Sequence, residues 1–475
     1  PPRNPGPPEP VAEHTAADAR ARAVGEQVAR MKAEAWHAAG FTGDGIKIGI
    51  LDSFNAGAWA AAQAAGELPA PAGTFCMSAG AQCAFGTLLG SDHGVQVAEV
   101  IHDLAPDAEL YLAEWDYAAD LDDALTWLAE QGVDIINRSE GLWFDYASAA
   151  GSGDGPFAEH VENLIAAYDI AFFNAAGNEA DRRNEGYGQY ARHTWRDTNS
   201  DRVLEFDWGP DGPGDGYVNW LPIQCFGYAV DVVMRWDDWD EYRTNPETVT
   251  DYDLHLFDWD DNLIDSSTWS QGNPGGLYEP FEFISDAPCS PGELMYLVVE
   301  WWDAPSQMDS PPDGDVLEFT LMHSAGFVYG HSDDFSVTID SISTVPDVFT
   351  IGAAQANGTI AWYSSGGPTN AGVMKPNFVA RTDITTFTSQ QAGDPPFNGT
   401  SAASPAAAGL AALVLDAGLA DTHTQLRQWL IANAAVDRGP VGPDNTYGYG
   451  ELILPAPPAP DPQPQPNPNP NPNPQ

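Results

Sequence analysis

Lysine is nearly missing from this chain: 475 residues contain three, Lys32, Lys47 and Lys375. Basic residues number 18 against 69 acidic ones, for a formal charge of −51. A surface of that sign repels phosphate backbones and anionic headgroups, which excludes nucleic acid and anionic membranes as partners. No run of 18 consecutive apolar residues occurs, so no membrane insertion is expected. The chain starts at Pro1 without Met or an export signal, as expected where such a signal has been trimmed. Cysteine is scarce too, at four residues. They fall as two local pairs, Cys76 with Cys83 and Cys225 with Cys289, which reads as two disulfides in an oxidising compartment. Neither pair has C-x-x-C spacing or a neighbouring His cluster, which speaks against metal binding by these thiols. The acidity suits a secreted protein and has two readings: a saline habitat whose cations screen the repulsion, or lineage bias. Sequons at Asn137, Asn357 and Asn398 read as chance matches and favour a bacterial or archaeal source.

What the chain does hold is a set of four short segments with chemical content. Gly399-Thr400-Ser401-Ala402-Ala403-Ser404-Pro405 opens an Ala-rich apolar run, so Ser401 sits in the first turn of an expected buried helix. Unpaired N–H groups there favour developing negative charge, although Ser is common at such ends simply as a cap. Ile46 to Leu51 is an apolar strand ending on Asp52. His93-Gly94 begins a helix whose Val97, Val100 and Ile101 recur at helical spacing. Ile170 to Gly177 is an apolar strand that runs through small residues to Asn178, whose amide can donate to an oxyanion.

Taken in chain order, Asp52, His93, Asn178 and Ser401 with their neighbours resemble the subtilisin-like serine peptidase family, the subtilases. The resemblance implies an Asp52–His93–Ser401 triad and an oxyanion hole of Asn178 and the Ser401 N–H. A serine hydroxyl is a weak nucleophile and needs a base. His93 takes its proton and later protonates the leaving amine, while Asp52 orients the imidazole. Polypeptides are the implied substrates, lying along Ser139-Glu140-Gly141, with Ala175-Ala176-Gly177 as the floor of the primary pocket. Glu140 departs from the apolar residue usual there. Either it points to solvent or it tilts preference toward a basic side chain. Lys375-Pro376-Asn377 also departs, because the family usually has Asp after Lys-Pro. No cofactor is required for this chemistry, and a structural calcium ion is compatible with it. Two other readings exist on the same motifs. One is a sedolisin-like acid peptidase, which needs Glu and Asp where His93 and Asn178 stand. The other is a catalytically silent binding protein working through its β-insert.

The rhythm of the chain predicts an α/β subtilisin-like fold, a parallel sheet flanked by helices, with an inserted all-β sandwich of jelly-roll type. Strands are expected at 46–51, 109–114, 133–138 and 170–175, and helices at 93–103, 119–131 and 157–168. Further helices are expected from Ala16 to Ala39 and from Thr424 to Ala435. The catalytic part spans 13–184 and 343–454. Between them, 185–342 carries 32 acidic and five basic residues, nine of the sixteen tryptophans, and β-like runs separated by turns. Trp236, Trp239, Trp259, Trp269, Trp301 and Trp302 either pack the core of this insert or form a carbohydrate- or protein-binding face. Asp251, Asp253, Asp258, Asp260 and Asp261 are the acids considered for calcium. Residues 1–12 and 455–475 are Pro-rich; the latter reads as a semi-rigid spacer suited to tethering.

Overall fold

The computed structural model describes residues 25–141, 156–180, 189–207, 217–238, 245, 249–271, 279–302, 314–322, 325–328, 341–369 and 372–459. The Pro-rich 1–12 segment, Trp239 and the end of the tail lie outside the described residues.

Ten strands form the main sheet: β1 (Lys47–Leu51), β2 (Gly73–Ser78), β3 (Ala81–Gln82), β4 (Glu109–Glu114), β5 (Ile135–Arg138), β6 (Ala171–Ala175), β7 (Phe349–Ala354), β8 (Phe378–Arg381), β9 (Ala435–Val436) and β10 (Glu451–Leu452). Their order is β9-β10-β8-β7-β6-β5-β1-β4-β2-β3. Pairing is parallel from β2 through to β8 and β10, and antiparallel only at β2/β3 and β9/β10. The strands are apolar runs, not alternations, because both faces are covered by helices. Neighbouring residues therefore enter different cores. Phe173 joins the cluster beneath the helices His93–Leu104 and Thr400–Asp416, whereas Phe172 joins the one beneath Ala118–Glu130 and Pro156–Tyr168.

β1 pairs with β4 on one side and β5 on the other, so the chain order reverses around it. Crevices form beyond the carboxyl ends of strands at such a point. Two helices bring side chains to that end. His93–Leu104 and Thr400–Asp416 lie against each other so closely that a Cβ on Gly409 would stand 2.8 Å from Leu104 Cβ. Only glycine permits that approach, and it fixes the spacing of the two helix starts.

Between β6 and β7, the described residues form a two-stranded sheet, Phe206–Asp207 with Tyr217–Val218, and two larger antiparallel sheets. One has the order Leu263–Ser267, Tyr252–Asp258, Leu294–Trp301, Leu221–Cys225, Ala325–Phe327; the other runs Phe281–Pro288, Ala229–Trp236, Val316–Met322, Tyr190–Thr194. Alternation is clean in the first sheet, along Tyr252–Asp258 and Leu294–Trp301, as one of its faces is covered, whereas Ala229–Trp236 in the second is buried over most of its length. Trp236 and Trp301 are buried in the shared core, while Trp259, Trp269 and Trp302 are exposed. Disulfides join Cys76 to Cys83 and Cys225 to Cys289.

Two expected helices differ. From residue 25 onward the first is not continuous but breaks into Glu26–Arg30 and Ala33–Ala39. Lys32 between them is left-handed (φ 62°), and the Met31 carbonyl accepts from the Leu454 N–H instead of continuing the helix. Residues 16–24 of that expectation lie outside the described residues. The second, from Thr424 to Ala435, is α-helical at His423–Trp429 and widens into a π-turn at Leu430–Ala434.

Candidate active site

Asp52 follows directly on β1, with its N–H held by the Ala113 carbonyl of β4 (3.1 Å) and its side chain buried. His93 is the first residue of its helix, and its N–H donates to Ser91 Oγ (3.1 Å). Its Nδ1 lies 2.8 and 3.0 Å from the two Asp52 oxygens. An edge-on contact with the Phe397 ring, centroids 5.3 Å apart, limits rotation of the imidazole. Gly94 is needed because its N–H bonds the Ser53 carbonyl (3.0 Å), and a Cβ there would stand 2.5 Å from that oxygen.

Ser401 lies in the first turn of the 17-residue helix Thr400–Asp416. Its hydroxyl donates to the Ser139 carbonyl at 3.0 Å. Asn178 is fixed from the same turn: its Oδ1 accepts from the Thr400 N–H (2.8 Å) and hydroxyl (3.2 Å). With Oδ1 occupied, the Nδ2 donor is the part of the amide left for a ligand. Thr400 Oγ1 also accepts from the Gly177 N–H (3.0 Å), which ties the end of the β6 segment to the helix start.

A cleft of about 750 Å³ collects these groups: His93, Ser401, Asn178, Ser139, Glu140, Gly141, Ala175 and Gly177 all line it. Ala176, expected beside them, is fully buried, its N–H donating to the Ile351 carbonyl. Asp52 lies behind the wall, reached through His93.

Charge in the cleft is one-sided. Burial works against the imidazolium of His93, but the charge and hydrogen bond of Asp52 and the charge of Glu140 outweigh it and raise its pKa to about 9. Burial and then the Asp52 charge raise Glu140 to about 7, against the pull of His93, a hydrogen bond with Ser53 and the charge of Arg138. Glu140 is half-buried and lines the cleft.

Several supporting residues were not singled out in the sequence. Ser404 Oγ donates to Asn137 Oδ1 (2.8 Å), and Asn137 Nδ2 donates to Ser139 Oγ (3.0 Å), so the Ser401 helix holds the Ser139 strand by a buried relay. Tyr363 Oη receives the Gly399 N–H (3.0 Å), and Thr382 Oγ1 donates to the Gly399 carbonyl (3.1 Å). An Asn inside the apolar run Asp134 to Arg138 was the one available signal, since a buried amide needs a partner.

Among the described residues, the acids whose oxygens converge within 4.8 Å are Asp237, Asp238 and Asp315 in the inserted sheets. They are not the acids considered from the sequence. Their oxygens accept from the Thr250 N–H and hydroxyl, the Tyr252 hydroxyl and the Val316 N–H. The group has the donors for a hard cation, and the chain's own hydrogen bonds already draw on them. It carries no step of the chemistry below.

A parallel α/β sheet with a serine at a helix start beyond its strand ends is the class this architecture defines. Residues 320–450 match the model of the Subtilase family, Peptidase_S8, so that part of the chain is similar to subtilases, which bears out the resemblance drawn from the motifs. The matched span contains Ser401 but not Asp52, His93 or Asn178. No curated protein matches the chain. Solved structures similar to it include a lanthipeptide protease (15% identity, 90% of this chain and 92% of that one, TM-score 0.44). Two others are of MycP1 from the ESX-1 type VII secretion system (13% identity, 91% and 85%, TM-score 0.43; and 16%, 93% and 89%, 0.44).

Proposed function

We propose that the protein is a secreted serine endopeptidase that cleaves polypeptides through an acyl-enzyme. The observation carrying this reading is the 2.8 Å contact between Asp52 and His93 at a cleft that Ser401 enters from a helix start. Substrate lies extended along Ser139–Gly141, pairing through its backbone. Its arrival displaces the Ser401 hydroxyl from the Ser139 carbonyl and turns it to His93 Nε2. His93 accepts the proton as Ser401 Oγ attacks the scissile carbonyl, and the imidazolium is stabilised by Asp52. Asn178 Nδ2 and the Ser401 N–H hold the oxyanion. His93 then protonates the leaving amine, and water repeats the sequence on the acyl-enzyme. Both disulfides fit an oxidising, extracellular setting.

Acids line the cleft at Asp116, Glu140 and Glu179, and none of its lining residues among the described ones is Lys or Arg. Substrates with basic side chains are favoured by that field. Digestion of a peptide library by wild type and Ser401→Ala, read by mass spectrometry, tests the reading. Internal cleavage enriched in basic segments, lost in the variant, is expected; equal cleavage by both proteins would rule the reading out.

A further inference from the structure

We propose that Glu114 is a positioning residue of the catalytic site: its buried carboxylate ties the segment that follows Asp52 to the loop that leads into His93, and so holds the contact between those two side chains. The inference rests on the peptidase reading above for its catalytic meaning.

Glu114 is the last residue of β4 and is fully buried. Its two oxygens take different partners. Oε1 accepts from the Phe54 N–H (3.0 Å), just beyond Asp52, and Oε2 accepts from the Gly86 N–H (2.8 Å), in the loop before His93. The strand that carries this carboxylate is fixed on both sides. Ala113 pairs with Leu51 of β1, and its carbonyl accepts from the Asp52 N–H (3.1 Å). Glu114 itself pairs with Cys76 of β2.

The two tethered segments pack on each other and on the helix start of His93. The rings of Phe54 and Phe85 lie 5.2 Å apart. Gly86 has a φ of 74°, and a Cβ there would stand 2.6 Å from the Ala56 Cβ. On the other side, a Cβ on Gly94 would stand 2.8 Å from the Phe54 ring. Phe54 is thus wedged between the loop and the helix, and a shift of Phe54 moves Asp52 relative to His93. The loop is fastened at its start by the Cys76–Cys83 disulfide, and at its far end Ser91 Oγ accepts from the His93 N–H (3.1 Å). Between those points Glu114 holds it at Gly86.

The chemistry of the side chain matters. Two N–H groups from separate segments need an acceptor at each end, which a carboxylate offers. A carboxamide has one acceptor oxygen and turns its own donors toward the other N–H, so Glu114→Gln keeps the shape and releases one tether. Glu114→Asp keeps the charge but is one methylene shorter and cannot reach both donors. The strand Ile135–Arg138, which leads into Ser139–Gly141, pairs with the opposite edge of β1. Releasing a tether therefore disturbs the Asp52–His93 pair more than the segment along which substrate lies. Leu89 and Ser91 of the loop do line the cleft, so an effect on substrate binding alone is the competing outcome.

The test combines steady-state kinetics of Glu114→Gln and Glu114→Asp with ¹H NMR of the His93 Nδ1–H in Ser401→Ala protein carrying the same substitutions. The signal is identified as the one missing from His93→Ala. Either substitution is expected to lower kcat roughly 10- to 100-fold, up to the cost of a ~1 Å misplacement, with KM little changed. The Nδ1–H signal is expected to shift or broaden as its bond to Asp52 loosens. Two substitutions of different chemistry guard against one failing to fold. A folded variant with wild-type kcat and an unmoved signal would overturn the proposal whatever its stability, because a merely structural acceptor gives that result. A rise in KM alone would mean that Glu114 only holds the Leu89 and Ser91 wall of the cleft, and would equally overturn it. The NMR comparison needs no turnover, so it stands whether or not peptides are cleaved. Wild type that cleaves nothing at any pH would instead defeat the peptidase reading.

Discussion

Thr400 and Asn178 hold each other in place: the Thr400 N–H and hydroxyl both donate to Asn178 Oδ1, at 2.8 and 3.2 Å. The residue before the nucleophile thus decides which end of the amide is free. Removing the Asn178 donor outright, as Asn178→Ala, is expected to lower kcat by roughly 10²–10³-fold. Thr400→Val deletes one of the two anchoring bonds and the Gly177 contact but keeps the shape. It is expected to lower kcat about tenfold, with KM nearly unchanged, because an oxyanion donor acts mainly in the transition state. Steady-state kinetics check both; a Thr400→Val enzyme with wild-type kcat would show that Asn178 needs no such anchor.

The relay from Ser404 through Asn137 to Ser139 predicts a stability effect. Ser404→Ala leaves the buried Asn137 Oδ1 without the donor it has at 2.8 Å. An orphaned buried acceptor costs roughly 1–3 kcal/mol. Chemical denaturation is expected to show a loss in that range, and peptide KM is expected to rise because the Ser139 strand loses support. A variant as stable as wild type would mean that the relay is not what holds the strand.

In the inserted sheets, Glu282 predicts a pH effect on stability. It is fully buried. Burial raises its pKa from 4.5 to about 8, against hydrogen bonds with Gln271, Ser267 and the Trp269 N–H. The folded state therefore keeps a proton that the unfolded chain loses near 4.5. Stability conferred by this group falls as pH rises from about 4.5 to about 8 and then levels off. Each unit of retained shift corresponds to about 1.4 kcal/mol. Asp251 and Asp315, both raised to about 7 mainly by burial, act in the same direction. Thermal unfolding from pH 5 to 9 is expected to show a falling Tm that Glu282→Gln makes shallower; an equal slope in both proteins would reject the assignment.

The disulfide Cys225–Cys289 spans a sequence separation of 64, against 7 for Cys76–Cys83. Closing the longer loop removes more entropy from the unfolded chain. Cys225→Ala with Cys289→Ala is expected to destabilise by roughly 2–5 kcal/mol, and Cys76→Ala with Cys83→Ala by less. Calorimetry of the two double variants compares them; the reverse ranking would contradict this.

The strands and helices expected between Lys47 and Ala175 fall within two residues of those observed, because strands buried on both faces are apolar runs and the helices keep a helical period; the helix Ala56–Ala65 and the strands Gly73–Ser78 and Ala81–Gln82 were not among them. The segments around Asp52, His93, Asn178 and Ser401 could be located because each pairs a polar residue with an abrupt change to small neighbours. What stayed hidden depends on contacts between distant residues. Nothing local says that Lys32 turns left-handed, since the cause is the Leu454 amide bonding Met31. Glu140 and Ser53, 87 positions apart, line one cleft, and neither residue announces the other. Among the tryptophans, composition could not separate the buried Trp236 from the exposed Trp259, because that depends on the sheet face each one occupies.

The central claim is that Asp52 and His93 activate the hydroxyl of Ser401. The most direct measurement is labelling with a fluorophosphonate followed by peptide mapping, on wild type and His93→Ala. The account predicts stoichiometric label on Ser401 in wild type and essentially none in His93→Ala. Wild type that remains unlabelled, or labelling that ignores the loss of His93, would contradict it.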